Sequence, residues 1–320
     1  MNTYDLIIIG AGPAGMTAGL YAARRAMKVV ILTMDIGGQV ATTPDVENYP
    51  GIGFVKGMDL AQAMYEQTLK AGCEIKINTQ VGDIEKRGEE YVVKAGGEEY
   101  SAPNVILSFG KTPRKLGVEG DEEYRGKGVT YCATCDGPLY KNKTVVVVGG
   151  GNSAIDAALY LEKIAKKVYL VHRRDQLRGE AVMIDRLTKN SSVEMIWNSA
   201  VEEVLGDGEV VTEVKIKNIK TEEQKNIATD GVFVEIGFEI KADFVKSLVK
   251  TDEAGQIIVD EFMRTSDPNI FAVGDLTPVP YKQIIISGGQ GAIAALTAYD
   301  DNARRAGRPT GGTDWGSLKK

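Results

Sequence analysis

Two cysteines lie two residues apart near the middle of the chain, at Cys132 and Cys135, and Asp136 follows the second directly. A Cys-x-x-Cys pair can close a small disulfide with activated thiols, so it exchanges readily with other disulfides. A carboxylate beside such a dithiol can carry the proton that the exchange requires. The spacing therefore predicts redox chemistry with Cys132 and Cys135 as catalytic residues. From the residues alone, Asp136 is either the catalytic acid–base residue or an ordinary turn aspartate before Gly137 and Pro138.

A zinc site is the structural alternative for two cysteines at this spacing. The single histidine of the chain, His172, follows a predicted strand far along the sequence, so the ligands of a tetrahedral site are not at hand and no metal is expected. The same separation argues against a Cys–His nucleophilic pair. The third cysteine, Cys73, is expected to be a small buried apolar residue. An odd number of cysteines with one tight pair is typical of a reducing compartment.

A first glycine loop could bind a dinucleotide that supplies the electrons. It follows an apolar run at residues 4–9 and precedes a helix-like stretch and a second apolar strand at 28–32, which is the order of a βαβ nucleotide-binding unit. The glycines permit a tight turn and close approach to a pyrophosphate, and the helix N-terminus offers N–H groups to phosphates. Residues 32–34 stand where an acid at the end of the second strand would hold the ribose, and Asp35 comes late for that role. The predicted cofactor contacts are Gly10, Gly12, Pro13, Ala14 and Gly15.

A second block repeats this order, with a strand at residues 144–148, a glycine loop, a helix and a strand at 167–171. Basic residues follow that last strand. Guanidinium groups bind phosphate as bidentate forks, so the cluster favours the 2′-phosphate of NADPH over NADH, and a solvated basic patch is the alternative. The predicted contacts are Gly149, Gly151, Asn152, Ser153, Ala154, His172, Arg173, Arg174 and Arg178.

The remaining patterns predict the elements that position these residues. Continuous apolar strands indicate parallel sheets covered on both faces, so the expected class is α/β with two Rossmann-like three-layer nucleotide-binding domains. The other expected elements are an antiparallel hairpin at 91–100, an interdomain connection at 111–120, strands at 105–110, 231–237 and 269–275, and a last helix at 287–299.

The composition argues against several classes of protein and of binding partner. The 320 residues suffice for two domains, and the apolar (43%) and charged (26%) contents are ordinary for a globular protein. The net charge of −6 does not indicate a nucleic-acid or anionic-membrane partner. Glycines and a proline break the uncharged run at 6–23, so neither a signal peptide nor a membrane span is expected, and the predicted location is the cytoplasm.

The chain resembles the low-molecular-weight thioredoxin reductases, and the likeness covers residues 4–303. This likeness rests on the order and spacing of the stretches that match. They are residues 10–15, 37–39, 47–51, 132–136, 149–154, 172–175 with Arg178, 274–275 and 281–283.

The resemblance implies an FAD enzyme that uses NADPH. FAD would lie on the first βαβ unit, in a domain split into residues 1–114 and 244–320 around an NADPH domain at 115–243. Beyond the first glycine loop, the residues implied at the flavin, its ribityl chain or its pyrophosphate are Gly37, Gly38, Gln39, Asn48, Gly274, Asp275, Lys282 and Gln283.

The resemblance also implies a mechanism. NADPH would reduce the flavin, and reduced flavin would open a Cys132–Cys135 disulfide. Cys135 is similar to the flavin-facing thiol, Cys132 to the thiol that attacks the disulfide of thioredoxin or a thioredoxin-like protein, and Asp136 to the acid–base residue. The NADPH domain would rotate between half-reactions about hinges near 117–120 and Lys241. A homodimer is expected.

Three departures from the family pattern concern the region of the domain junction. Residues 108–110 read Ser-Phe-Gly in place of Ala-Thr-Gly, residues 237–240 lack the usual Pro-Asn, and Gly288 with Gly289 loosens the start of the last helix.

Other functions are compatible with the same patterns. A relative of this fold could reduce a glutaredoxin-like or peroxiredoxin-type partner, and a ferredoxin- or flavin-linked NADP oxidoreductase would need no dithiol. A nucleotide-sensing or zinc-tethered binding protein is the non-enzymatic alternative.

Overall fold

The computed structural model describes residues 2–43 and 45–310, apart from the side chains of Asp45, Cys135 and Asn190. These residues form two compact units. Unit 1 comprises the described residues up to Lys111 and from Ile240 onward, and unit 2 spans Thr112–Glu239. The predicted domain boundaries, after residues 114 and 243, lie a few residues beyond these junctions.

The helices are α1 (Pro13–Arg24), α2 (Gly57–Lys70), α3 (Ala133–Asp136), α4 (Asn152–Leu161), α5 (Ala181–Asn190) and α6 (Ile284–Arg305). The strands are β1 (Asn2–Thr3), β2 (Leu6–Ala11), β3 (Val29–Ile36), β4 (Asp45–Val46), β5 (Val55–Lys56), β6 (Glu74–Lys76), β7 (Val81–Arg87), β8 (Glu90–Ala95), β9 (Glu98–Ala102), β10 (Val105–Leu107), β11 (Thr112–Pro113), β12 (Val129–Thr130), β13 (Thr144–Gly149), β14 (Lys167–Val171), β15 (Glu194–Ile196), β16 (Ser199–Gly206), β17 (Val211–Asn218), β18 (Gln224–Ala228), β19 (Gly231–Glu235), β20 (Phe238–Glu239) and β21 (Ile270–Ala272).

Unit 1 is built around a parallel sheet in the order β21-β10-β2-β3-β6. Successive residues of β2 point to opposite faces of this sheet. Leu6 and Ile8 pack into a cluster with α1 and α6, while Ile7 and Ile9 pack against the second sheet, β1-β9-β8-β7. Both sets are buried, which is why the strand reads as a continuous apolar run rather than an alternating one.

Unit 2 repeats this three-layer plan on a parallel sheet in the order β12-β19-β13-β14-β15. Val145 and Val147 face α4 and α5, and Val146 and Val148 face the antiparallel sheet β16-β17-β18. Burying each such side chain contributes about 1.5–3 kcal/mol before entropy is counted. The predicted α/β class with two three-layer units is confirmed.

The details of several elements differ from the sequence predictions. The hairpin near 91–100 is confirmed as β8 and β9. The last helix begins at Ile284 and ends at Arg305, so Gly288 and Gly289 lie inside it. The strand expected at 231–237 is shorter and ends at Glu235, while 269–275 is a strand, Ile270–Ala272, that enters a loop as expected. Within the described residues, no helix combines the length and the apolar content that a bilayer crossing requires.

The predicted interdomain connection at 111–120 contains the junction between the two units, which lies between Lys111 and Thr112, but residues 112–120 are not a free linker. β11 pairs with β20, and Leu116 and Val118 pack against the core of unit 2. The buried carboxylate of Asp121 accepts hydrogen bonds from the Gly117 N–H (2.8 Å) and the Tyr131 hydroxyl (2.6 Å). A hinge at 117–120 would break these buried bonds, so this part of the chain belongs to the body of unit 2.

Candidate redox and dinucleotide sites

The glycine loop of unit 1 lies between β2 and α1 with the geometry that its sequence predicts. Gly10 has a φ of 104°, and a Cβ there would lie 2.6 Å from the Ser108 carbonyl oxygen. A Cβ at Gly15 would lie 1.9 Å from the Gly10 oxygen, so the close packing of helix on strand needs glycine. At Gly12 a Cβ would meet no described atom within 4 Å, and no described side chain caps α1. The loop therefore presents open backbone and free N–H groups, which suits a pyrophosphate.

β3 runs to Ile36, so the exposed Asp35 lies at the end of this strand, whereas the sequence pattern predicted it beyond the strand. Thr33 is buried, and its hydroxyl accepts the Ala11 N–H (3.1 Å) and donates to the Asp35 carbonyl (2.6 Å). Thr33 therefore links the glycine loop to the strand end that carries this acid.

The residues implied at the flavin gather around the same loop. Gln39 donates to the Asp275 carboxylate (3.3 Å), which Lys111 also approaches at 3.3 Å. A Cβ at Gly38 would lie 3.7 Å from the Gly12 Cα, and one at Gly274 would lie 3.2 Å from the Ala14 Cβ. Segments far apart in sequence thus meet at the carboxyl end of the sheet.

The start of α6 forms the other side of this site. Asn48 donates to the Gln283 side-chain oxygen (3.0 Å), and Gln283 is the N-cap residue of α6, without a side-chain cap among the described atoms. Lys282 is used internally, because its ammonium donates to the Thr277 carbonyl (2.5 Å) and to Gln256 (3.2 Å). Burial lowers the pKa of Lys282.

Two further residues support the site without having been predicted. The buried Gln290 accepts the Gly274 N–H (2.7 Å) and so fixes the loop that carries Asp275. Ser108 donates to the carbonyls of Ile9 (2.8 Å) and Gly10 (2.9 Å), so the departure from alanine adds a hydrogen bond to the loop. Its neighbour Phe109 packs edge-on against Phe244, with ring centroids 5.1 Å apart.

In unit 2 the second glycine loop lines a cavity of about 460 Å³ at the carboxyl end of the parallel sheet. A cavity of this size suits a small-molecule cofactor. Gly151 caps α4, and a Cβ there would meet no described atom within 4 Å. The predicted residues that line the cavity are Gly149, Gly151, Asn152, Ser153, His172, Arg173, Arg174 and Arg178, while Ala154 is buried beneath the loop. Lining residues that were not predicted include Gly150, Arg114, Ser199 and Glu235.

His172 and Asn152 also support the loop. The ring of His172 is buried, with Nε2 3.0 Å from the Gln176 carbonyl, and a Cβ at Gly150 would lie 2.1 Å from that ring. The Asn152 side chain accepts the Glu180 N–H at 2.8 Å. Arg173 and Arg178 are exposed and Arg174 is half-buried, so the guanidinium groups remain at the mouth of the cavity.

The dithiol segment follows β12 at the same edge of this sheet. Cys132 is disulfide-bonded, while Cys73 is free and buried, as expected. The side chain of Cys135 lies outside the described part, so the Cys132–Cys135 pairing stays a prediction. Thr130 was not predicted, yet its hydroxyl accepts the Cys132 N–H (3.2 Å) and donates to the Asp136 carboxylate. This buried threonine therefore orients both ends of the dithiol segment.

A second carboxylate lines the cavity of this unit. Glu235 ends β19 at the carboxyl end of the sheet. Burial raises the pKa of Glu235 to about 7, and the negative charge of Asp156 adds to the rise.

Comparisons with known proteins agree with the fold and the two dinucleotide loops described above. Residues 4–296 match the family described as Pyridine nucleotide-disulphide oxidoreductase. A thioredoxin reductase of Listeria innocua is 43% identical over 92% of both chains. A thioredoxin reductase of Bacillus subtilis is also 43% identical, over 91% of this chain and 92% of its own length.

A solved crystal structure of a thioredoxin reductase is also similar to this chain. Lactococcus lactis thioredoxin reductase has a TM-score of 0.81 and 40% identity, covering 94% of this chain and 99% of its own. The chain therefore belongs to the pyridine nucleotide-disulphide oxidoreductase family, and the low-molecular-weight thioredoxin reductases are the members that it is similar to.

Proposed function

We propose that this protein is an FAD-containing, NADPH-dependent reductase of the disulfide of thioredoxin or a thioredoxin-like protein. One observation carries the proposal. The disulfide-bonded Cys132 and the arginine-lined cavity lie in one unit at the same sheet edge, and a second dinucleotide loop lies in the other unit. A chain that combines this disulfide with two dinucleotide loops can take electrons from bound cofactors and deliver them to the disulfide.

The residues of each unit fit one cofactor. In unit 1, the open backbone at Gly12 would hold the FAD pyrophosphate, and the uncapped start of α6 would favour negative charge near the ring. In unit 2, the Gly151 turn would hold the NADPH pyrophosphate, and Arg173 with Arg174 the 2′-phosphate. When bound, FAD and NADPH supply the two-electron reducing equivalents.

The dithiol then carries out the exchange. The Cys132 thiolate attacks one sulfur of the partner's disulfide, and the other partner sulfur leaves with a proton from Asp136. The Cys135 thiolate next attacks Cys132 in this mixed disulfide. The Cys132–Cys135 bond forms again, and the partner departs as a dithiol, so one disulfide is reduced while another is formed.

Rotation of unit 2 between half-reactions is part of the proposal, because one flavin face cannot meet NADPH and the dithiol at once. The ends of unit 2 support it. β11 and β20 pair, with Thr112 opposite Glu239, so both chain crossings leave this unit side by side. We therefore place the first proposed hinge at the junction next to Lys111 instead of at 117–120, and we keep the second near Lys241, next to the junction at Ile240.

We further propose a homodimer that works in the cytoplasm. The resemblance supports the dimer. The use of cysteine supports a reducing compartment, since one of the three is free and buried and another is held in a disulfide beside the nucleotide cavity.

An anaerobic titration of the purified holoenzyme with NADPH tests the proposed function. We expect uptake of electrons by the flavin and by the disulfide, two for each, and NADPH-dependent release of thiols from thioredoxin. Assays with glutaredoxin-like and peroxiredoxin-type proteins examine the alternative partners. Uptake by the flavin alone, without thiol release, would remove the dithiol from the reaction.

Substitution of Thr130 by valine should slow thiol–disulfide exchange by roughly tenfold, because the hydroxyl that orients Asp136 is lost while the shape is kept. Stopped-flow measurement of the exchange step with thioredoxin checks this. Thr212→Val is the matched control, since Thr212 is an exposed residue of β17 in the same unit and does not belong to the cavity lining. Equal effects of the two substitutions would contradict the role given to Thr130.

A further inference from the structure

Lys111 and Asp275 form an ion pair at the carboxyl end of the parallel sheet of unit 1. The Lys111 ammonium lies 3.3 Å from Oδ2 of Asp275, and each side chain is only 19% exposed. The two residues follow neighbouring strands, because Lys111 comes after β10 and Asp275 comes after β21. Water and salt screen a pair at this depth less than they screen an exposed pair. Its charges therefore act on whatever binds beside it.

We propose that Lys111 is a positioning residue of the FAD site: its ammonium holds the Asp275 carboxylate in one orientation and offsets its charge, so that this carboxylate can face the cofactor beside a pyrophosphate. The inference rests on the proposed function, which it deepens by naming a residue that prepares the flavin site. Neither the glycine motif nor the resemblance assigns a role to Lys111.

The contacts of Asp275 leave one of its oxygens for a ligand. Gln39 and Lys111 both approach Oδ2, each at 3.3 Å, and no hydrogen bond to Oδ1 is observed from the described residues. The backbone is held separately, since Gly274 has a φ of 80° and its N–H donates to Gln290 at 2.7 Å. With the backbone held and Oδ2 engaged, Oδ1 has a defined direction in which to accept a hydrogen bond from a ribityl hydroxyl.

The charge of Asp275 needs a counter-ion because the same site suits an anion. The turn that carries Asp275 lies against the first glycine loop, since a Cβ at Gly274 would lie 3.2 Å from the Ala14 Cβ. The N–H groups of that loop suit a pyrophosphate, which is a dianion, so a bare carboxylate nearby would oppose its binding. Lys282 directs its ammonium to other groups of unit 1. The cation in contact with the carboxylate is Lys111.

The segment before Lys111 is held firmly. Ser108 donates to two backbone carbonyls at the end of β2, and the Phe109 ring packs against Phe244. Gly110 has a φ of 67°, in the left-handed region, and turns the chain directly before the lysine. The departure from the family pattern in this segment therefore places Lys111 on a fixed turn.

The rate at which the holoenzyme releases FAD after dilution tests the inference, with free flavin counted by its absorbance in an ultrafiltrate. We expect Lys111→Gln to speed release by about tenfold, since the carboxylate loses its cation. Lys111→Arg keeps the charge and should stay within about threefold of the wild type. Lys246→Gln is the matched control and should leave the rate unchanged, since Lys246 is an exposed residue of unit 1 that pairs with Asp243 at the surface.

A double-mutant cycle with Asp275→Asn separates this role from a direct contact with the cofactor. In the Asp275→Asn background no carboxylate charge remains to be offset, so Lys111→Gln should change the release rate by less than about threefold. If the ammonium bound a cofactor phosphate instead, the effects would be independent, and Lys111→Gln would again give about a tenfold change.

The inference is overturned by such independence, by wild-type release in Lys111→Gln, or by Lys111→Arg releasing FAD as fast as Lys111→Gln. If Lys111→Gln retains no flavin, the double variant decides, because it should hold FAD again. The release measurement uses neither NADPH nor a partner protein, so a failure of disulfide reduction would be recognised separately. A wild-type protein that binds no flavin would contradict the proposed function itself.

Discussion

Replacing Cys132 by serine is expected to abolish reduction of the partner's disulfide, with a loss of at least roughly a thousandfold in kcat. The substitution removes the thiolate that attacks the partner, and serine cannot form the internal disulfide. NADPH should still bleach the flavin absorbance, but the anaerobic titration should take up two electrons fewer per chain. Steady-state thiol release and the titration endpoint are the measurements.

Cys73→Ala is the matched control for this prediction. Cys73 is free and buried in the core of unit 1, against the side of α1 that carries Gly19, so it has no part in the exchange. Its variant should keep both thiol release and full electron uptake. Persistence of thiol release in Cys132→Ser would show that the electrons reach the partner by another route.

Replacing Arg173 and Arg174 together by glutamine should raise the KM for NADPH by roughly a hundredfold while changing the KM for NADH by less than about threefold. Each charge-assisted bond to phosphate is worth about 1.5–3 kcal/mol, and only NADPH carries the 2′-phosphate. Steady-state kinetics with both nucleotides at fixed ionic strength measure the two constants, since salt screens exposed charges.

Arg186→Gln controls for a general loss of positive charge. Arg186 is an exposed residue of α5 in the same unit, and it does not belong to the cavity lining. If the double variant weakened NADH and NADPH equally, the arginines would be acting on the pyrophosphate or on the fold instead of on the 2′-phosphate.

The tertiary structure changes the interpretation of several predicted residues. His172 was predicted only as a member of the phosphate cluster, yet its ring lies against Gly150 and its Nε2 reaches the Gln176 carbonyl. It therefore shapes the loop that carries the arginines. Lys282 was implied at the flavin, but its ammonium contacts Thr277 and Gln256. In both cases the side chain contacts other protein groups around the proposed cofactor site.

The residues that were missed share a physical cause. Thr130, Glu235 and Gln290 belong to no local motif. The Thr130 hydroxyl contacts Cys132 and Asp136, Glu235 lines the nucleotide cavity, and Gln290 accepts the Gly274 N–H. In a sequence, a glutamate after a buried strand is typical of a solvent-exposed strand end. A glutamine inside a helix is typical of a surface position. Their roles depend on which segment folds against them, and this information is absent from the local pattern.

Residue patterns alone were enough to predict the two βαβ units, the glycine turns and the sulfur pair, because strand burial, turn conformation and thiol chemistry depend on residues close together in the chain. Where unit 2 begins, what supports each loop and which residues complete the cavity lining became visible only in the folded chain. Those outcomes arise from contacts between β12, β13 and β19, or between α1 and α6, which meet only after the sheets have formed. A buried N–H or carboxylate must find a partner in space, and topology sets the distance along the chain to that partner.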